Sequence, residues 1–159
     1  MNGKTHFVFG LLLGMLCMVL LSGTRVWFFL PVALFFSIFS DIDTPFSSLG
    51  RKSRIVSFLF KHRGLFHSIL ALALFVVGGY VLLNSAFSIA VLVGYGSHLL
   101  LDMTTKQGIL LLHPFHFWHV KGNFKTGGWQ EYILMLIFVA GIFAVVWFNK
   151  NIFIPHGVL

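Results

Sequence analysis

Five apolar stretches, each closed by polar or turn-forming residues, dominate this 159-residue chain. They run roughly over 7–21, 26–39, 65–83, 86–101 and 132–147. A hydrocarbon core about 30 Å thick asks for about 20 helical residues at about 1.5 Å each. Only the third stretch meets that length with ease, and the second is short enough to be re-entrant. Composition leads the same way. Hydrophobic residues make up 58% of the chain and charged residues 9%, whereas a soluble domain is about a quarter charged. So few charges cannot solvate a water-exposed surface, so the bilayer is the solvent. The expected fold is an all-α polytopic transmembrane helix bundle of about five apolar helices, or four spans plus one re-entrant. It forms a single domain over 1–159 with two long loops, 41–64 and 104–131.

The net charge of +7 would suit nucleic acid, but the basic residues lie in loops between apolar stretches, which is the pattern of membrane orientation. No direct nucleic-acid binding is expected; the partners are membrane lipids and a small or lipid-linked substrate. If all five stretches cross, one side holds Lys4, Arg51, Lys52, Arg54, Lys61, Arg63, Lys106, Lys121 and Lys125, and the other holds Arg25 and Lys150. The positive-inside rule makes the first side cytoplasmic. The N-terminus and both long loops then lie in the cytoplasm of a multi-pass cell-membrane protein. The first stretch is expected to be a retained helix, because Ser22-Gly23-Thr24 is a poor cleavage site. Cys17, the one cysteine, sits in an apolar stretch, so no intrachain disulfide forms. No sequence feature assigns an oligomeric state.

With that orientation, all four acidic residues and every histidine except His156 fall on one face. Avoidance of the membrane core explains why such residues sit at helix ends, but not why they favour one end. His98 and Asp102 are four apart and share a helix face, so one imidazole and one carboxylate can reach the same cation. The competing reading is a plain His–Asp hydrogen bond. Asp41 and Asp43 close the second stretch. Two carboxylates there oppose the helix dipole and repel each other unless a cation intervenes. His67 leads the third stretch after His62-Arg63-Gly64, where Arg63 offers a planar fork for a phosphate or carboxylate. His6 opens the first stretch. Imidazole with carboxylate is a borderline donor set suited to a divalent metal such as Zn²⁺ or Mn²⁺ rather than Ca²⁺. The expected metal ligands are His6, Asp41, Asp43, His67, His98 and Asp102, enough for two ions or for one ion with outer partners. Glu131 and Arg63 are the candidate catalytic residues. Glu131 would be a base or a further ligand, or else would only compensate a helix dipole. His113, His116 and His119 recur among Pro114, Phe115, Phe117 and Trp118 and are expected to lie at the membrane interface rather than to bind metal.

Thr5-His6, Ser40-Asp41-Ile42-Asp43, His62-Arg63-Gly64 with His67-Ser68, and Gly94-Tyr95-Gly96-Ser97-His98 running to Asp102 and Thr105 together resemble the YdjM family of inner-membrane proteins. The resemblance continues through Gly108, Leu111-Leu112, Pro114 and Gly127 to Glu131. It departs at Ser40, where the family commonly has Pro, and at Phe66, where it has Thr. It implies an inner-membrane, metal-dependent hydrolase. A looser similarity of donor pattern is to zinc-dependent phospholipase C enzymes. The expected function is hydrolysis of a lipid-linked or phosphate ester substrate at the cytoplasmic face. The alternative is a non-catalytic metal-binding membrane protein, a sensor or an assembly factor.

Overall fold

Three of the helices extend at one end or both beyond the apolar stretches that seed them. Helix α1 spans Gly3–Leu20, α2 Val26–Phe39, α3 Ile69–Leu82, α4 Ser85–Met103 and α5 Trp129–Phe148. The structure is a computed structural model and describes residues 1–21, 26–43 and 64–150. Helices α1, α4 and α5 are long and apolar enough to cross a membrane, whereas α2 and α3 are shorter apolar helices. At about 1.5 Å per residue the long three reach about 27–30 Å, which matches a bilayer core. The third stretch therefore does not supply the longest span, contrary to its apolar length. Ser68 is the reason: its side chain accepts from the Ala71 N–H at 3.2 Å and caps α3 there. Leu65–His67 before it form a separate 3₁₀ turn.

Helix α4 is the centre of the bundle, packed against α1, α2 and α3. Its approach to α2 depends on a missing side chain. A Cβ on Gly94 would lie 2.1 Å from the Ala33 carbonyl oxygen, so only glycine lets the two backbones meet. On α1, Gly10 fits against Ser37 in the same way. Small residues at crossings are how membrane helices gain van der Waals contact where lipid leaves no hydrophobic drive between them. Around these crossings Met18, Phe29, Ala33 and Ala90 form one buried cluster, and Phe36, Ala71, Val91, Tyr95 and Leu99 form another. Phe29 thus sits beside the far end of α1, and Ser37 beside its beginning. Helix α2 runs alongside α1 in the opposite direction.

Polar groups inside the bundle find partners across helices. The Ser88 hydroxyl donates to the Val76 carbonyl at 2.7 Å, and the Tyr95 hydroxyl donates to the Phe66 carbonyl. Helix α5 lies on α1 along one narrow seam. Its buried residues are Glu131, Phe138 and Val145, seven apart and so on one face. The Phe138 ring lies 4.6 Å from that of Phe9. The remainder of α5, with Leu136, Ile137, Phe143 and Trp147 exposed, is lipid-facing surface.

The second long loop is not wholly irregular. Strands β1 (Ile109–Leu110) and β2 (His119–Val120) pair antiparallel, with Ile109 opposite Val120 and Leu110 opposite His119. Thr105 bridges Phe124, and the Ile69 N–H donates to the Leu111 carbonyl at 2.9 Å. The ribbon is thereby fixed to the start of α3.

Substituting Gly94→Ala is expected to destabilise the detergent-solubilised protein by about 1–3 kcal/mol through overpacking. Gly78→Ala, where an added Cβ meets nothing within 4 Å, is expected to stay within about 0.5 kcal/mol of the wild type. Thermal unfolding followed by circular dichroism compares them; equal stability of the two variants would refute the close crossing.

Candidate metal centre

Five helical elements run up and down, so the start of α1, the end of α2, the entry to α3, the end of α4 and the start of α5 meet at one end of the bundle. Each brings a residue singled out in the sequence. His6 lies near the start of α1, and Asp41 lies in the 3₁₀ turn Ser40–Asp43 that continues α2. His67 closes the turn before α3, where its N–H donates to the Gly64 carbonyl at 3.0 Å. His98 and Asp102 stand one turn apart on α4. His6, His67, His98 and Asp102 are all buried, each 1% exposed or less. The Asp41 side chain is 19% exposed.

The donor atoms are close-set. His98 Nε2 lies 3.3 Å from His67 Nε2. Asp102 Oδ2 is 3.5 Å from His67 Nε2 and 3.8 Å from His98 Nε2. Asp41 Oδ1 is 3.8 Å and 3.7 Å from the same two nitrogens. Two triangles therefore share the His67–His98 edge, one closed by each carboxylate. Donors about 2.0–2.2 Å from a tetrahedral ion are about 3.3–3.6 Å apart, so these edges are close to those of a metal's coordination shell.

The tautomer of His98 follows from its other nitrogen. Nδ1 lies 2.8 Å from the Ser37 carbonyl, which can only accept, so Nδ1 carries the proton and Nε2 presents its lone pair to the group. Holding the far nitrogen of a ligand imidazole in this way is the usual support of a metal-binding histidine. A lone pair on one Nε2 facing another ring nitrogen at 3.3 Å is favourable only with a proton or a cation between them. His6 stacks on His98 at 3.8 Å between ring centroids, tilted by 13°. Its Nε2 lies 3.3 Å from Asp102 Oδ1, and neither of its nitrogens is hydrogen-bonded among the described residues. Two triads, His6–His98–Asp102 and Asp41–His67–His98, could each hold a metal ion. Because His98 has a single free nitrogen, it cannot be a terminal ligand in both at once.

Of the expected ligands, His6, Asp41, His67, His98 and Asp102 are thus brought together. The backbone of Asp43 completes the turn after Asp41, and its side chain lies outside the described part. Arg63, His62, Arg51 and Arg54 also lie outside the described residues. Glu131 stands in the first turn of α5 with both oxygens engaged. Oε1 accepts from the Asn2 N–H at 2.6 Å and the Thr5 hydroxyl at 2.7 Å, and Oε2 accepts from the Gly127 N–H at 2.6 Å. It therefore ties α5 to the start of α1. His113, His116 and His119 sit on the ribbon; His119 Nε2 is 2.7 Å from the Gln107 carbonyl.

Three further groups at the site were not singled out as ligands or catalytic residues in the sequence. The Met1 amine donates to Asp102 Oδ1 at 2.6 Å. The Ser40 hydroxyl, next to Asp41 in sequence, is buried without a hydrogen-bond partner among the described residues. The Ser37 carbonyl belongs to the last turn of α2, where backbone acceptors run short of intrahelical donors. That last feature was available as a signal; the other two depend on how the helices pack.

A family model described as YdjM inner membrane protein matches residues 1–157. The inner membrane protein YdjM of Escherichia coli K12 is 31% identical over 127 residues, covering 71% of this chain and 64% of that protein, and its Shigella flexneri counterpart aligns identically. The chain thus spans somewhat under two thirds of the length of these relatives. The Bacillus subtilis protein YvsG is 30% identical over 146 residues, covering 85% of this chain and 88% of its own length. No solved structure matches. With motifs, helices and buried His–Asp group all in place, the chain belongs to the YdjM family of inner-membrane proteins.

Proposed function

We propose that this protein is a membrane-bound metal-dependent hydrolase that acts on a lipid-linked or phosphate ester substrate at the cytoplasmic face, with Zn²⁺ or Mn²⁺ as its ion. The observation that carries this reading is the convergence of two imidazole nitrogens and two carboxylates from three separate elements at 3.3–3.8 Å. His67, His98, Asp41 and Asp102 would hold the ion, with His6 beside them and Asp43 as a further donor. Two carboxylates match the charge of a divalent ion, which offsets the cost of burying it among apolar helices. When bound, the ion supplies Lewis acidity: it polarises a phosphate and acidifies water. The protein's own residues do the rest. Ser37 fixes the orientation of His98 through its carbonyl. Arg63, with Arg51 or Arg54, would grip the substrate phosphate as a bidentate donor. Glu131, with three hydrogen bonds to the starts of α1 and α5, suits positioning better than proton transfer.

One observation favours the second reading, a non-catalytic metal-binding membrane protein that acts as a sensor or assembly factor. His67, His98 and Asp102 are almost wholly buried, and a structural ion held by four protein ligands needs no open position.

Elemental analysis of detergent-purified protein is expected to find roughly one zinc or manganese per chain, and His98→Ala is expected to lose it. With added Zn²⁺ or Mn²⁺, hydrolysis of lipid phosphoesters should fall at least about 100-fold in His98→Ala and Asp102→Ala. Retained turnover in either variant rejects the mechanism, and a bound ion with no turnover on any ester selects the second reading. Glu131→Ala should lower thermal stability by about 2 kcal/mol, because one buried and two partly buried hydrogen bonds lose their acceptor. Unchanged stability with abolished turnover would instead make Glu131 the base. Alkaline phosphatase fused after Lys125 should be silent, and fused after Lys150 it should be active; the reverse pattern would place the site on the outer face.

A further inference from the structure

We propose that the tip of the β1–β2 ribbon, residues 111–118, is seated in the headgroup layer of the bilayer, where it and the lysines around it engage anionic phospholipid. Depth is the first argument. The tip joins two helices that are long enough to cross a membrane, α4 and α5, so the segment leaves the bilayer and returns to it on one side. It is also held low. The Leu111 carbonyl accepts from the N–H of Ile69, the first residue of α3, and Ile109, 1% exposed, is buried against Tyr95 and Leu99 of α4. The tip therefore sits level with the first turn of an apolar helix, where the lipid band begins, and does not stand clear in water.

Chemistry is the second argument. Phe115, Phe117 and Trp118 are 83%, 73% and 56% exposed. Adjacent exposed aromatics of this size mark a binding surface, and at this depth the available surface is the interface, which favours aromatic rings. Charge supplies the third argument. From Met103 to Gln130 the chain carries Lys106, Lys121 and Lys125 and no acidic residue, and all three lysines are exposed. Basic residues flanking an inserted aromatic tip attract anionic headgroups.

The test places a nitroxide label on single cysteines introduced by Phe115→Cys, Phe117→Cys and, as an aqueous reference, Asn123→Cys, each in a Cys17→Ala background. The full chain is reconstituted in phosphatidylcholine vesicles with or without phosphatidylglycerol. Collision rates with oxygen and with a water-soluble nickel chelate report depth. Labels at 115 and 117 are expected to show nickel collision rates at least about twofold below that at 123, with oxygen favoured, as for a residue at the interface. The protection should deepen with phosphatidylglycerol, and replacing Lys106, Lys121 and Lys125 with Gln should abolish that deepening. Nickel access at 115 and 117 equal to that at 123 overturns the proposal. So does label–label broadening at 117 that disappears on dilution with unlabelled protein, because a second copy would then cover the tip. A lipid response unchanged by the lysine replacements refutes the anionic-headgroup contact.

Discussion

Burying carboxylates and imidazoles among apolar helices is the constraint from which the arrangement follows. A charged or polar group in a low-dielectric interior costs several kcal/mol unless it is paired. Two of the acidic groups at this end of the bundle are accordingly answered. Asp102 meets the Met1 amine at 2.6 Å, and Glu131 takes three hydrogen bonds. The proton of His98 is spent on the Ser37 carbonyl. Around the His98 Nε2, the His67 imidazole and the Asp41 and Asp102 carboxylates stand 3.3–3.8 Å away, a spacing that a shared proton or a cation makes attractive, so the group is one that could hold a metal ion.

That geometry rests on how closely the helices approach. The Ser37 carbonyl reaches His98 only because α2 lies against α4, and α2 can do so only because Gly94 presents no side chain to Ala33. Gly10 of α1 packs against the side chain of the same Ser37, which sets the height at which His6 stacks on His98. Small residues in mid-helix and polar residues at the helix ends are one device. The first set draws the helices together, and the second uses the proximity.

Much of this was legible in the sequence, for physical reasons that also mark where legibility stopped. Apolar length announced a helical membrane bundle, and the i, i+4 spacing of His98 and Asp102 placed them on one face. Parity of the helices sent His6, Asp41, His67 and Asp102 to one end. Helix boundaries were less legible. Reading α1 from Phe7 and α4 to Leu101 treats His6 and Asp102 as flanks, yet both are inside helices, because polar residues facing a partner are buried as readily as apolar ones. The third stretch looked longest because hydropathy cannot see that Ser68 caps a helix inside it. The two-residue strands of the ribbon are too short to alternate visibly. The three partners of Glu131 lie on backbone and on Thr5, which no spacing in the sequence announces.

Access to the centre follows from the helical wheel of α4. A cleft of about 570 Å³ lies between α1 and α3 and is lined by Leu92, Gly96, Leu100 and Met103 of α4. Gly96 and Leu100 are each two positions from His98 and so point about 160–200° away from it around the helix. The cleft therefore faces lipid with α4 standing between it and the imidazoles, and a molecule in it does not reach the metal ligands. Among the described ligands, Asp41 has the one side chain with sizeable exposure. Under the proposed hydrolase reading, a substrate would thus enter past Asp41, at the end of the bundle where the buried ligands gather, and not through the cleft.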